Sequence, residues 1–288
     1  MQFFAPAKIN LSLKILGSRE DGFHEIDTVI APISLADELE IEPNDSQEGI
    51  SFSIDDPTLP IGEENLVVRA AGRFFAEIRA EPRIQISLRK KIPHGAGLGG
   101  GSSDAATTLR AINQLQGAPL SLSRLMTIAS EIGSDVPFFL GQSAARCRGR
   151  GEIVEPLREI PTLELLLVKP EFGVPTPWAY RQWRDSRALP GVDYEPQSFD
   201  GLLLENDLER PVFEKHFFLA QVKTWLRAQP EVGAALLAGS GSTMYAVLRA
   251  GSAGKELADR VKQELDPLLW TCCCRAGPTQ DHSSSRAR

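Results

Sequence analysis

The chain reads as an α+β protein built in two layers, and three features predict it. A strictly alternating strand opens the sequence, a glycine run sits between a strand and a helix, and the second half follows a strand-helix-strand-strand-helix-strand order. In the opening strand Ile9, Leu11, Leu13 and Ile15 face one side, and Lys8, Asn10, Ser12 and Lys14 the other, so the spacing predicts a half-buried strand. A turn over Gly17–Gly22 leads to strands expected over 23–33, 39–41 and 50–54. A helix is expected over 65–79, a strand over 84–88, and a helix over 123–132 that stops at Gly133. The second half begins with a strand over 163–168. Then come a helix over 213–227, strands over 234–238 and 244–248, a helix over 255–265 and a strand over 268–274. That order predicts a ferredoxin-like layer. The expected division is 1–158 for a nucleotide-binding half and 159–277 for the ferredoxin-like half, with a flexible tail over 278–288.

The most informative segment is Pro93-His94-Gly95-Ala96-Gly97-Leu98-Gly99-Gly100-Gly101-Ser102-Ser103-Asp104. Five glycines in seven residues remove the Cβ atoms that keep a backbone away from a polyanion, and they allow positive φ. Successive N–H groups can then form an anion-binding nest. Ser102, Ser103 and Asp104 are read as N-cap residues of the helix that follows, whose terminus adds free donors and a partial positive charge. The segment therefore predicts a triphosphate cradle. It is no dinucleotide fingerprint, because no carboxylate stands about 20 residues on. It is no Walker loop, because it ends Gly101-Ser102-Ser103 in place of Gly-Lys-Ser/Thr.

Bulk properties restrict the function class. The chain has 288 residues, a net charge of −7, and an ordinary soluble composition with 42% hydrophobic residues. Nothing global favours nucleic acid or an anionic membrane. No apolar run of about 18 residues predicts a membrane span, and no leader is readable at the N-terminus, so a cytoplasmic location is expected. A local positive field is suggested by Arg89-Lys90-Lys91. Cys147 and the run Cys272-Cys273-Cys274 suit neither a disulfide framework nor a zinc site, and the run is read as small apolar strand residues.

By pattern alone, Lys8 is a solvated charge and Asp135 is either a general base or the N-cap of a helix starting near Pro137. The ordered motifs decide further. Ala5-Pro6-Ala7-Lys8-Ile9-Asn10-Leu11, Asp21-Gly22-Phe23-His24, Asn65-Leu66-Val67, the glycine segment, Gly133-Ser134-Asp135-Val136-Pro137-Phe138-Phe139, Asn206-Asp207-Leu208-Glu209 and Gly239-Ser240-Gly241-Ser242-Thr243 span most of the chain. Together they resemble the galactokinase, homoserine kinase, mevalonate kinase and phosphomevalonate kinase superfamily. Within it they resemble the branch that phosphorylates the 2-hydroxyl of a cytidine-diphosphate-linked methylerythritol in non-mevalonate isoprenoid synthesis.

The resemblance implies an N-terminal ribosomal-protein-S5-like domain, a C-terminal ferredoxin-like domain and an active site in the cleft between them. It implies ATP with Mg2+ as cofactor and a small-molecule substrate, no nucleic-acid or membrane partner, and a monomer or homodimer. It assigns Asp135 and Lys8 to catalysis, with Asn10 on the polyol. Pro93 to Ser103 would bind ATP, with Asn65 and Lys90 near adenine, although an N-cap and a solvated lysine explain those two equally well. Phe23 and His24 would contact the cytosine. That pair is commonly Tyr-His in the similar enzymes, so Phe23 keeps the stacking face and loses a hydroxyl. Tyr180 matches the aromatic on the other side of the base, with Trp178 competing. The turn Gly239–Thr243 would border the substrate. No acidic metal cluster is readable, and Ser103 is the one metal-ligand candidate. Two alternatives stay open: a sibling kinase for homoserine, mevalonate or a sugar, and a non-catalytic ligand sensor. Phe23, His24 and Tyr180 weigh against the first, and Lys8 with Asp135 against the second.

Overall fold

A long antiparallel ladder between Gln2–Ser18 (β1) and His24–Pro43 (β2) organises the computed structural model, which describes residues 1–277. The tail expected over 278–288 lies outside the described residues. Three bulges interrupt the ladder, after Pro6, Asn10 and Ile15, and each re-aims the side chains that follow. As a result Ala7, Ile9 and Leu11 join one hydrophobic cluster, whereas Leu13 and Ile15 join another. The half-buried expectation for β1 needs correcting at its polar face. Lys8 is 5% exposed and Asn10 3%, because the second half of the chain lies over them. The Tyr245 hydroxyl, for example, donates to the Asn10 carbonyl at 2.8 Å.

The first half adds Gly49–Ile54 (β3), Leu66–Ile78 (α1), Arg83–Arg89 (β4), Gly100–Leu115 (α2), Leu122–Ile132 (α3), Val136–Gly141 (α4), Ala145–Gly149 (β5) and Ile153–Pro156 (β6). β4 and β5 pair antiparallel with β2, β3 runs parallel to β4, and β6 closes a hairpin with β5. The helices bury a core around Phe74, Leu109, Ile112 and Phe138 against this sheet. Apolar positions at helical spacing make that possible, and Asn65 and Ser121 cap α1 and α3.

The second half contains Leu163–Lys169 (β7), Thr176–Gln182 (α5), Gln197–Phe199 (β8), Leu202–Asn206 (β9), Glu209–Lys215 (α6), Phe217–Arg227 (α7), Val232–Leu237 (β10), Met244–Leu248 (β11), Gly254–Glu264 (α8) and Trp270–Ala276 (β12). Strands β10-β11-β7-β12 lie in that order and pair antiparallel throughout. With α7 and α8 as the connecting helices, this is the expected ferredoxin-like layer. The single helix expected over 213–227 is two helices. His216 leaves the helical region at φ −116° and ψ 69°, and its ring stacks on Phe172 at 4.8 Å. The cysteine run lies within β12, with Cys274 buried and Cys273 exposed, and all four cysteines are free. Two strand pairings join the halves among the described residues. Ala276 of β12 pairs with Ile33 of β2, and β9 runs parallel to β1. No helix among the described residues is long and apolar enough to cross a membrane.

The Asn206–Glu209 motif is the bracket behind the β10–β11 turn. Asn206 Nδ2 donates to the carbonyls of Leu237 and Gly239, each at 2.8 Å. Glu209 Oε1 accepts from the Leu237 amide at 2.9 Å, and its Oε2 accepts from Lys223 Nζ at 2.6 Å. Both members of that ion pair are buried. Removing one partner from such a pair costs about 3–5 kcal/mol, whereas replacing both by neutral groups costs far less. Lys223→Met should therefore lose stability of that order in denaturant unfolding. The double variant Glu209→Gln, Lys223→Met should recover more than half of the loss, and a loss that grows in the double variant would contradict this role.

Candidate active site

The glycine loop follows β4 and enters α2 through left-handed turns. Gly95, Gly97 and Gly99 take φ of +65°, +79° and +73°, conformations that side chains resist. Gly99 is itself the N-cap, so α2 begins at Gly100. This corrects the expected capping role of Ser102, Ser103 and Asp104. They stand inside the helix, where Ser103 N already bonds the Gly99 carbonyl at 2.9 Å. Ala96 and Leu98 bury their side chains in the core.

The loop is locked in place by the turn that joins β10 and β11. A methyl group added at Gly97 would lie 2.1 Å from the Ala238 carbonyl oxygen, and one at Gly241 would lie 2.1 Å from the Gly97 nitrogen. Thr243 N bonds the Ala96 carbonyl at 3.3 Å, and Lys8 N bonds the Leu98 carbonyl at 2.9 Å. Two glycine turns and β1 thus meet backbone to backbone.

A cleft of about 770 Å³ opens there, a size suited to small-molecule ligands. Its walls include Pro93 to Ser102, Asn65 and Lys90 at one end, Lys8, Asn10 and Asp135 in the middle, and Phe23, His24 and Tyr180 beyond. The expected catalytic, ATP-binding and substrate-binding residues except Ser103 therefore line one cavity, whereas of the turn Gly239–Thr243 only Gly239 and Ser240 reach it. Ser103 is fully buried, its hydroxyl has no partner, and it does not line the cleft.

Lys8 Nζ donates to Asn10 Oδ1 at 2.6 Å, and Asn10 Nδ2 donates to Thr28 Oγ1 at 2.8 Å. Burial lowers the Lys8 pKa, with the Asp135 charge opposing that shift. Lys8 and Asp135 therefore face each other through space, and no direct ion pair joins them among the described residues. Asp135 occupies the N-cap position of α4, yet its side chain makes no capping hydrogen bond. The carboxylate is left available to the cleft. Beneath it, burial and then the Asp135 charge push the Cys147 thiol up to about 12, which makes it inert.

At the far end the rings of His24 and Tyr180 are in tilted contact at 5.5 Å. Partial burial lowers the His24 pKa, favouring the neutral imidazole. Burial, with Asp135 second, raises that of the Tyr180 phenol. Trp178 stands apart from the cleft, beside His216 and under Lys215, so Tyr180 is the aromatic the cleft presents. Phe23 is 48% exposed, with the Arg150 guanidinium 4.7 Å above its ring.

At the glycine-loop end, Asn65 caps α1 by accepting from Val67 N at 3.0 Å while bordering the cleft. Lys90 is no solvated lysine. Its ammonium lies 2.5 Å from Asp37 and 2.7 Å from Asp104. Arg89 and Lys91 both pair with Glu38, so carboxylates cancel the positive field suggested by the basic run. The sequence reading missed Arg150 and Arg181, which also line the cleft. The readable signal was Gly149-Arg150-Gly151, two glycines with φ of +74° and +116° around one arginine.

No group of three or more His, Cys, Asp or Glu among the described residues forms a metal cage. The cleft fits a magnesium ion that arrives on phosphates and takes most of its ligands from them and from water. At the N-terminal end of α2, Ser102 and the unpartnered Asp104 Oδ1 are the ligand atoms offered.

Residues 65–142 match the GHMP kinases N terminal domain. The chain is 42% identical over 246 residues to the 4-diphosphocytidyl-2-C-methyl-D-erythritol kinase of Methylacidiphilum infernorum, covering 85% of each. To the enzyme of that name from Geobacter sp. strain M21 it is 38% identical, covering 91% of this chain and 95% of the relative. A crystal structure of 4-(cytidine 5'-diphospho)-2C-methyl-D-erythritol kinase superposes with a TM-score of 0.78 at 36% identity, covering 97% of this chain and 100% of that one. A homoserine kinase from Cytophaga hutchinsonii shares the fold at a TM-score of 0.68 and 20% identity, covering 96% of this chain and 94% of that one. With the lysine, the free carboxylate and the glycine loop gathered in one cleft, the chain belongs to the 4-diphosphocytidyl-2-C-methyl-D-erythritol kinase family of GHMP small-molecule kinases.

Proposed function

We propose that this protein transfers the γ-phosphoryl group of ATP to the 2-hydroxyl of 4-diphosphocytidyl-2-C-methyl-D-erythritol, with Asp135 and Lys8 as its catalytic residues. The observation that carries the reading is one continuous cleft. A glycine loop stands at one end, Lys8, Asn10 and the uncapped Asp135 in the middle, and His24 and Tyr180 at the other.

The loop N–H groups and the N-terminus of α2 hold the triphosphate. Asp135 accepts the proton of the attacking hydroxyl, and its free oxygens leave it able to do so. The Lys8 ammonium, fixed by Asn10 and deprived of water, neutralises charge on the transferring group more strongly than a solvated lysine would. Ser102 and Asp104, at the N-terminal end of α2, would help hold a phosphate-borne magnesium ion, which would supply further charge neutralisation. Phe23 and Tyr180 supply faces for the cytosine, and neutral His24 supplies an edge. His24 and Tyr180 already touch, which leaves no gap for a base between them and favours the reading with the base between Phe23 and Tyr180. Small acceptors such as homoserine or mevalonate have no base to use this end of the cleft.

Three measurements test the reading. Asp135→Asn should keep ATP affinity and lower turnover by about 10²-fold or more, and near-normal turnover in the folded variant would reject Asp135 as the base. Gly99→Val places a side chain at φ +73°, against Phe139 Cζ at 2.8 Å and Lys8 Cγ at 3.0 Å. It should weaken ATP binding and turnover together, and unchanged ATP affinity in calorimetry would contradict the cradle. Tyr180→Ala should raise the acceptor KM by about tenfold, as for the loss of one base–aromatic stack, with the ATP KM nearly unchanged. Equal loss for both substrates would point to general damage, and efficient turnover of homoserine or mevalonate would reject the cytidine-linked acceptor.

A further inference from the structure

The lysines and arginines lining the cleft are Lys8, Lys90, Arg150 and Arg181. Two of these charges are already committed. Lys8 is hydrogen-bonded to Asn10 beside the reacting centre, and Lys90 is neutralised between Asp37 and Asp104. Arg150 and Arg181 form no ion pair among the described residues, and Arg150 is the one held beside both Asp135 and Phe23. It stands at the tip of the β5–β6 hairpin, between two left-handed glycines, and no carboxylate of the described residues lies within ion-pairing distance of its guanidinium. The nearby acids are engaged elsewhere. Arg19 holds Asp21 and Glu25, Arg148 holds Glu155, and Glu152 accepts the Arg150 backbone amide at 2.6 Å. Asp21 senses Arg150 only as a distant charge.

The hairpin tip also fixes where that charge sits. A Cβ on Gly151 would lie 3.7 Å from Asp135 Oδ1, so the tip rests beside the proposed base. On its other side the guanidinium lies over the Phe23 ring. Arg150 therefore spans the interval between the group that takes the proton and the face that takes the base. In an acceptor whose reacting polyol and nucleobase are joined by a diphosphate, that interval is where the diphosphate passes. A guanidinium matches phosphate oxygens in a two-pronged geometry, and an aromatic face parks it at little cost when no anion is present.

We infer that Arg150 is a specificity-determining residue that binds the diphosphate linker of the acceptor and rests on Phe23 when the linker is absent. This inference builds on the proposed reaction, so its test includes a measurement independent of turnover. Calorimetric titration with CDP and with cytidine should show Arg150→Met weakening CDP binding tenfold or more while cytidine binding changes less than twofold. In turnover, Arg150→Met should raise the acceptor KM tenfold or more with kcat within about threefold and the ATP KM unchanged. Arg150→Lys should recover part of the loss, because it restores charge without the planar fork. The wild-type acceptor KM should rise with salt more steeply than that of Arg150→Met. Equal weakening of CDP and cytidine would mean that Arg150 only props Phe23, and unchanged CDP affinity would mean that it touches no phosphate. Either outcome overturns the inference. Wild-type protein that binds CDP in this Arg150-dependent way, yet fails to phosphorylate the diphosphocytidyl acceptor, would instead reject the proposed reaction and leave the anion site standing.

Discussion

Everything at the active site depends on two peptide backbones approaching closer than any side chain permits. Gly97 and Gly241 meet where a single methyl group on either would stand about 2.1 Å from the opposite main chain. Gly97 belongs to the loop that enters α2, and Gly241 to the turn between β10 and β11. Their contact ties the nucleotide-binding half to the ferredoxin-like half at the glycine-loop end of the cleft. Asn206 and Glu209 hold the second turn from behind, so a buried hydrogen-bond and ion-pair network positions a phosphate loop it never touches. The cradle is as rigid as that bracket allows, which is what a site working by positioning and electrostatics requires.

The same closure explains the chemistry of Lys8. A lysine on the polar face of an alternating strand is ordinarily solvated. Here the overlying half of the chain removes its water, and Asn10, Thr28 and the Ser12 carbonyl form a relay of hydrogen bonds that fixes it. Burial favours the neutral amine and the Asp135 charge favours the ammonium. The two effects oppose each other within one cavity. Burial acts on Lys90 too, but its two carboxylate partners outweigh it and hold the ammonium as a structural strut between β2, the end of β4 and α2.

Much of this was legible in the sequence, and the exceptions share a cause. Periodicity located β1, β3, β4, α1, α3 and most of the ferredoxin-like layer, because burial on one face is a local pattern. The strands expected over 23–33 and 39–41 are the single β2, and the short elements α5, β5, β6, β8 and β9 went unread. The glycine spacing exposed the phosphate loop, since left-handed turns leave few residue choices. What failed depended on partners distant in sequence. The burial of Lys8 and Asn10 comes from residues more than two hundred positions away, such as Tyr245. The basic run 89–91 looked like a field for anions until Asp37, Glu38 and Asp104 were placed against it. The helix expected over 213–227 breaks at His216, whose ring stacks on Phe172. Ser102 to Asp104 are good caps by type, but Gly99 had already turned the chain. Arg150 went unread because an arginine between glycines resembles any hairpin tip until its neighbours are known.

The bulged first strand also sets the order in which the protein can become competent. Successive segments of β1 serve different cores, and its end is clamped by Asp207, whose carboxylate accepts the Ile15 amide at 2.7 Å, and by pairing with β9. These contacts join the first residues synthesised to others nearly two hundred positions later. Such long loops close slowly, and vectorial synthesis delays them further. The glycine loop and α2 are early sequence, but the turn that locks the loop and the strands that bury Lys8 belong to β9 to β11. Cradle and buried lysine are therefore completed by the same late segment, and a partly synthesised chain holds neither.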